Sequence, residues 1–138
     1  MAKVVRFGVS LDADLLGKFD KLIHKKKYQN RSDAIRDLIR ETLVEEEWEH
    51  DQIIAGGIGI VYDHHQKQLV NKLMNIQHDF HNTVVSSQHI HLDHDNCLEI
   101  VVVKGIAKEV QDLYNHLKAT KGIKHISILR STTGQELK

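Results

Sequence analysis

The chain has a single cysteine and eleven histidines, and the spacing of four of these residues could support metal chemistry. His89 and His91 form an H-x-H pair, and Cys97 follows across Asp93-His94-Asp95-Asn96, a stretch with the composition of a tight turn. Two imidazoles and a thiol on one sheet face are a preformed set of soft-to-borderline ligands. From these three residues alone, a structural zinc is the default ion. A lone cysteine excludes a disulfide within the chain and fits a reducing compartment.

The elements around these residues determine whether they can converge. Ile53–Tyr62 is an apolar run containing Gly56, Gly57 and Gly59, which reads as a strand allowing close backbone approach. Residues 66–82 place Leu69, Leu73, Ile76 and Phe80 on one helical stripe, and residues 106–121 do the same with Ile106, Val110, Leu113 and Leu117. Thr83–Leu92, Cys97–Lys104 and Ile123–Arg130 read as strands, and Ser131 onward as a mobile tail. The order βαββαβ predicts a ferredoxin-like (ACT-like) split βαβ domain, an antiparallel sheet with both helices on one side.

In the central hairpin the apolar set is Ile90, Leu92, Leu98, Ile100 and Val102. If that set faces the helices, the period of two puts His89, His91, Cys97 and Glu99 together on the opposite face. His78 lies about 180° around its helix from Leu69, away from the buried stripe. With the helices on one face and the donors on the other, His78 could join the site only from a neighbouring chain. A metal held by all four would therefore sit at a subunit interface. His64, His65 and His81 are candidate secondary ligands, whereas His94, His116 and His125 read as solvated or locally hydrogen-bonded.

The N-terminal fifty residues differ in character. Val5, Phe7, Val9 and Leu11 alternate with Val4, Arg6, Gly8 and Ser10, the period of a half-buried strand. Asp12 can cap a helix carrying Leu15, Leu16, Phe19, Leu22 and Ile23, which closes at Lys25-Lys26-Lys27. After Gln29-Asn30, Ser32 is read as the N-cap of a second helix with Ala34, Ile35, Leu38, Ile39 and Leu43 inward. One strand and two short helices bury too little to stand alone, and a single strand needs a partner. Two copies whose strands pair would meet both needs.

That layout resembles the ribbon-helix-helix DNA-binding proteins. The resemblance implies a two-stranded ribbon in the major groove, with Arg6, Gly8 and Ser10 facing the bases. The turn Asn30-Arg31-Ser32 would offer N–H groups and a guanidinium to a phosphate.

Composition supports a two-part, α+β reading with a DNA-binding module at 1–50 and a metal-binding module at 51–138. With 41% hydrophobic and 28% charged residues, the chain is globular and soluble rather than disordered. Its net charge of zero hides an asymmetry. Residues 1–40 carry ten bases against five acids, an excess of +5, and residues 41–51 carry six acids and no base. No apolar run reaches the roughly 20 residues of a spanning helix, and the N-terminus turns polar too soon for a signal peptide. The expected location is the cytoplasm, without membrane association.

Read whole, the chain resembles the NikR family of nickel-responsive transcriptional regulators over nearly its full length. The most specific element is the spacing His78-x10-His89-x-His91-x5-Cys97. The resemblance implies square-planar Ni(II), one per subunit, bound by His89, His91 and Cys97 of one chain and His78 of another. It further implies a homotetramer in which paired DNA-binding domains flank a central core. Asp33 and Asp37 resemble positions that hold a cation between the domains on DNA, and Tyr62–Lys67 a segment that orders with nickel. Glu99 would orient one ligand. Gly8 and Ser10 depart from frequent threonines, and Lys27 replaces a glycine before Tyr28.

These features together predict a repressor of nickel uptake genes that binds a double-stranded operator, with no small-molecule substrate. The rivals are a ribbon-helix-helix regulator answering to zinc or copper, an antitoxin-like module gripping a protein partner, a metal buffer, and a metalloenzyme. Four protein ligands leave no open position for catalysis, and a buffer has no use for a basic ribbon.

Overall fold

A computed structural model describes residues 3–137 and divides them into two compact units, residues 3–43 with 136–137, and residues 44–135. The division falls inside a continuous helix.

In the first unit, α1 (Ala13–Lys25) begins where the Asp12 carboxylate accepts the Asp14 N–H at 2.8 Å, satisfying one of the orphan donors of the first turn. It ends in a Schellman arrangement: Tyr28 N–H donates to the Ile23 carbonyl and Lys27 N–H to that of His24. Such an ending needs a left-handed residue after the cap, and Lys27 supplies it at φ 62°. α2 (Arg31–Glu49) is capped by Asn30, whose side-chain oxygen accepts the Asp33 N–H at 2.9 Å. Ser32, the expected cap, lies one turn position inside the helix. The Asx side chain captured the start because it precedes the first helical residue.

The expected strand over residues 4–11 does not form within one chain; these residues are coil and exposed throughout. The reason is physical, because an isolated strand has no ladder partner for its N–H and C=O groups.

The second unit begins within the last residues of α2 and contains β1 (Ile53–Asp63), α3 (Lys67–Asp79), β2 (Val84–His91), β3 (Asn96–Ile106), α4 (Ala107–Lys118) and β4 (His125–Arg130). All strand pairs are antiparallel, in the order β2-β3-β1-β4. This is the split βαβ arrangement expected from the sequence. The core joins Ile54, Ile58, Ile60 and Tyr62 of β1 and Val101 and Val103 of β3 to Leu69 and Leu73 of α3 and Val110, Leu113 and Leu117 of α4. Each helix contributes one stripe at the spacing of 3.6 residues.

Glycine is required at Gly56, where an added Cβ would run into the backbone carbonyl of Leu129 on the neighbouring strand, with Trp48 on its other side. The first residues after β4, expected as a mobile tail, are anchored. Ser131 N–H donates to the Ala55 carbonyl, the Trp48 indole donates to Ser131 at 2.9 Å, and the Thr132 hydroxyl donates to Glu47 at 2.9 Å.

One expectation is reversed. On β3 the odd residues Cys97, Glu99, Val101 and Val103 are buried beneath the helices, while Leu98, Ile100 and Val102 face the uncovered side. Periodicity alone could not choose, because β3 is apolar on both faces. The pairing with β1 decides. Ile58 and Ile60 sit opposite Val101 and Glu99, whereas Gly57 and Gly59 sit opposite Val102 and Ile100. Only the first face offers bulk to interdigitate with helices.

Candidate metal centre and nucleic-acid face

Register brings three of the four predicted ligands to one corner of the sheet. Cys97 pairs with His91 on one side and Tyr62 on the other, and in the next row Glu99 pairs with His89 and Ile60. Side chains of directly paired residues point the same way, so His89, His91, Cys97 and Glu99 share a face as expected. It is the helix-covered face, opposite to the one inferred from the apolar pattern. Cys97 is buried, while His89 and His91, on the edge strand β2, are exposed.

A polar network lies behind His89. The Glu99 carboxylate is 2% exposed and accepts the Tyr62 hydroxyl at 2.8 Å and the Gln77 amide at 2.6 Å. A buried carboxylate without such donors would be costly. His89 Nδ1 lies 3.3 Å from the Tyr62 hydroxyl and 3.7 Å from Glu99. His89 Nδ1 thus faces inward to the Tyr62 hydroxyl, itself held by Glu99, and Nε2 is left outward, so the hydroxyl is placed to orient the imidazole as outer-shell partners of metal-binding histidines do. Burial, then the adjoining Glu99, push the Tyr62 phenol well above its usual range, so it stays a hydrogen-bond donor. Tyr62 enters the sequence analysis only as the end of a strand and the start of a segment that orders with nickel, and Gln77 not at all. Tyr62 could have been found from the strand pairing, but Gln77 depends on where α3 lies over the sheet.

The remaining histidines fall into separate places. His78 is exposed on α3, on the side away from Leu69 and Leu73, and its carbonyl meets His81 Nδ1 at 3.1 Å. With the donors now on the helix-covered face, the sheet no longer separates them from α3. Only the outward aspect of His78 keeps it from its own chain's site. His64 stacks on His91 with ring centroids 4.5 Å apart and planes 6° from parallel, and His64 Nε2 is shielded without a hydrogen-bond partner. His65 lies beside the β2–β3 turn, its Nε2 2.9 Å from the His94 carbonyl. Among the described residues, two groups have donor atoms all within 4.8 Å of one another: His65, His94 and Asp95, and Glu46, Glu49 and His50. His89, His91 and Cys97 are neighbours but do not close to that distance.

The donor set fits a borderline transition ion. It combines one thiol and two imidazoles, with the Tyr62 hydroxyl and the buried Glu99 carboxylate behind His89.

In the first unit, Arg6, Gly8 and Ser10 are exposed, and a Cβ on Gly8 would meet nothing within 4 Å. Val5, Phe7, Val9 and Leu11 are exposed as well, and with Leu16, Phe19, Ile35 and Ile39 they line a cleft of about 980 Å³. Arg31 is held by Asp20 through two hydrogen bonds of 2.9 Å. That contact lowers the Asp20 pKa and raises that of Arg31. Asp33 pairs with Arg36 at 2.9 Å, and Asp37 accepts the Tyr28 hydroxyl at 2.7 Å. Asp20 had no assigned part in the sequence reading, although it now competes with any phosphate for Arg31.

Comparison with known proteins agrees with both halves. Residues 55–130 match the NikR C terminal nickel binding domain, and residues 5–46 match the ribbon-helix-helix proteins of the copG family. The class is thus a DNA-binding regulator with a nickel-binding domain, not an enzyme. Among its relatives are proteins of Syntrophus aciditrophicus, 57% identical over 98% of both chains, and of Nitratidesulfovibrio vulgaris strain Miyazaki F, 54% identical over 99% of both, each named "Putative nickel-responsive regulator". The chain belongs to the NikR family of nickel-responsive regulators. An uncharacterized protein of Thermotoga maritima shares the fold of part of the chain, with a TM-score of 0.51 at 11% identity, covering 56% of this chain and 96% of that one. Among the described residues no helix is long and apolar enough to cross a membrane.

Proposed function

We propose that the protein is a nickel-dependent repressor of nickel uptake genes, acting in the cytoplasm as a homotetramer on a double-stranded operator. Residues 1–50 form the DNA-binding part and residues 51–138 the metal-binding part. His89, His91 and Cys97 of one subunit, with His78 of a neighbouring subunit, hold one Ni(II) per subunit, and Glu99 orients His89 through its place beside Tyr62. The observation that carries this reading is the register that sets His91 beside Cys97 and His89 beside Glu99.

When bound, Ni(II) supplies a cross-link between donors that the chain alone leaves apart. His78 belongs to α3, so engaging it fixes that helix against another subunit and favours the arrangement that binds DNA. The uncovered sheet face supports assembly. Leu98, Ile100 and Val102 lie on it, and Leu129 beside them is 68% exposed. In the DNA-binding part, residues 4–10 of two copies pair into a ribbon that presents Arg6, Gly8 and Ser10 to the bases. Asn30, Arg31 and Ser32 approach the phosphates once Arg31 leaves Asp20.

A gel shift with and without nickel, with zinc and copper as controls, tests the whole reading. Operator binding should require nickel, and the Cys97→Ala, His89→Ala double variant should stay folded but lose both tight nickel and the shift. An unchanged nickel titration in that variant would refute the site. Binding indifferent to chelators would instead favour an antitoxin-like module.

A further inference from the structure

We propose that Glu47, Trp48 and Thr132 are positioning residues that carry the nickel state of the C-terminal unit into α2, with residues 131–134 acting as a strap across that helix's last turn. This rests on the nickel-dependent operator binding proposed above and adds where the signal leaves the metal-binding part.

Because α2 is one continuous helix shared by the two units, its direction depends on how its last turn is seated. Within the C-terminal unit that turn is tied from several directions. Ser131 N–H donates to the Ala55 carbonyl of β1 at 3.1 Å, and the Ser131 carbonyl accepts the Trp48 indole N–H at 2.9 Å. The Arg130 guanidinium lies over the Trp48 ring, 5.3 Å from its centroid, and donates to Gln111 of α4 at 3.1 Å. The helix ends with Asp51 in the left-handed conformation at φ 52°, where Gln52 N–H donates to the Glu47 carbonyl at 3.1 Å. The Gln52 carbonyl in turn accepts the Ala107 N–H that opens α4, at 3.0 Å.

Glu47 makes this seat conditional. It is only 9% exposed, and a buried carboxylate is costly unless donors reach it. Among the described residues its donor is the Thr132 hydroxyl, 2.9 and 3.4 Å from its two oxygens. The same hydroxyl accepts the Gly134 N–H at 3.1 Å, which fixes the strap's own turn. If residues 131–134 lift, Glu47 must turn toward water, and the last turn of α2 shifts with it. An apolar residue at this position would pack without any such dependence on the strap. The contact therefore has two discrete arrangements rather than a continuous range. One strand joins it to the metal corner: β1 carries Tyr62, paired with Cys97, at one end, and Ala55 and Gly56, beside Ser131 and Trp48, at the other.

The test is a gel shift of the full chain with and without nickel, run beside a DNA-free nickel titration and the emission of Trp48, the single tryptophan. Thr132→Val removes the hydroxyl at nearly constant shape, and Thr132→Ser keeps it. The Val variant should bind nickel as tightly as the intact protein and show red-shifted emission. It should also lose at least about fivefold of the gain in operator affinity that nickel brings. The Ser variant should match the intact protein in all three. Trp48→Phe, which keeps a ring but no N–H donor, should reduce the same gain without changing nickel affinity. A gain that survives Thr132→Val, even with a lower melting temperature, would make the contact a packing feature and overturn the strap alone. A Ser variant as impaired as the Val one would do the same. An intact protein whose operator binding ignores nickel would overturn both this inference and the reading it rests on.

Discussion

The two units of this chain handle apolar surface in opposite ways. The C-terminal unit closes one face of its sheet beneath its own helices: Ile54, Ile58, Ile60, Val101, Val103, Val110, Leu113 and Leu117 are wholly inaccessible. The N-terminal unit buries Ile23 and Ala34 but leaves Phe7 at 70% and Val9 at 60% exposure. Both segments carry a clear strand pattern. The difference is whether a partner strand exists in the same chain. β1 has two neighbours, whereas residues 4–11 have none. The N-terminal unit therefore leaves an apolar face unpartnered, the face that the proposed ribbon pairing would cover.

The largest test of this contrast is Phe7→Asp. A charge at the centre of the exposed apolar face should prevent ribbon pairing, since burying an unpaired carboxylate costs several kcal/mol. Operator affinity should fall at least a hundredfold in a gel shift, while the C-terminal unit keeps its own melting transition. Retained operator binding would show that the alternating face is not a dimer surface.

Next in size is Gly56→Val, aimed at the closed unit. The new side chain has no space against the Leu129 carbonyl, so β1 and β4 must separate. Overpacking of this kind costs about 1–3 kcal/mol or more. The C-terminal transition should drop by several degrees, with the N-terminal unit unaffected. A loss shared equally by both units would mean that they do not unfold separately.

The sequence made the elements legible because their patterns are long and periodic. The stripe through Leu113 and Leu117 and the βαββαβ order needed nothing else. The candidate site was legible only in part. That His89, His91, Cys97 and Glu99 share a face follows from the period of two. Which face they share does not, since β3 is apolar on both sides and the choice depends on Ile58 and Ile60 versus Gly57 and Gly59 across the ladder. The Asp20–Arg31 pair and the Gln77–Glu99 bond are tertiary, joining residues with no sequence pattern between them. The anchoring of Ser131 likewise depends on Trp48, whose role appears only once the last turn of α2 lies beside β4.

Tyr62→Phe addresses the metal centre with a smaller effect. It removes one donor to the buried Glu99 carboxylate and the hydroxyl beside His89 Nδ1, while Gln77 still satisfies part of Glu99. Loss of such an orienting group weakens metal binding about 10–100-fold, measurable by competition with a chelator of known affinity. The same variant has a pH signature. The Tyr62 phenol is raised in the folded state, so its contribution to stability is complete below the ordinary phenol range near pH 10. That contribution is lost as pH rises beyond it, because the unfolded chain ionises first. The intact C-terminal unit should therefore lose stability above about pH 10 more steeply than the Phe variant. Parallel curves would mean that the hydroxyl is not held protonated by its surroundings.

The smallest effect returns to the open unit and runs in the stabilising direction. Lys27 occupies the left-handed position that completes the Schellman ending of α1, at φ 62°, where a side chain costs about 1–2 kcal/mol relative to glycine. Glycine also costs more to order from the unfolded chain, which offsets part of that gain. Lys27→Gly should thus stabilise the N-terminal unit by about 1 kcal/mol, read as a rise of a few degrees in its transition. It also removes one base from the +5 excess of residues 1–40, so operator affinity should weaken slightly if Lys27 lies near the phosphates and its salt dependence should become shallower. Measuring melting and salt dependence together separates the two roles. A higher melting temperature with an unchanged salt slope would assign Lys27 to the turn alone, and an unchanged melting temperature would mean that the left-handed strain is relieved elsewhere in the unit.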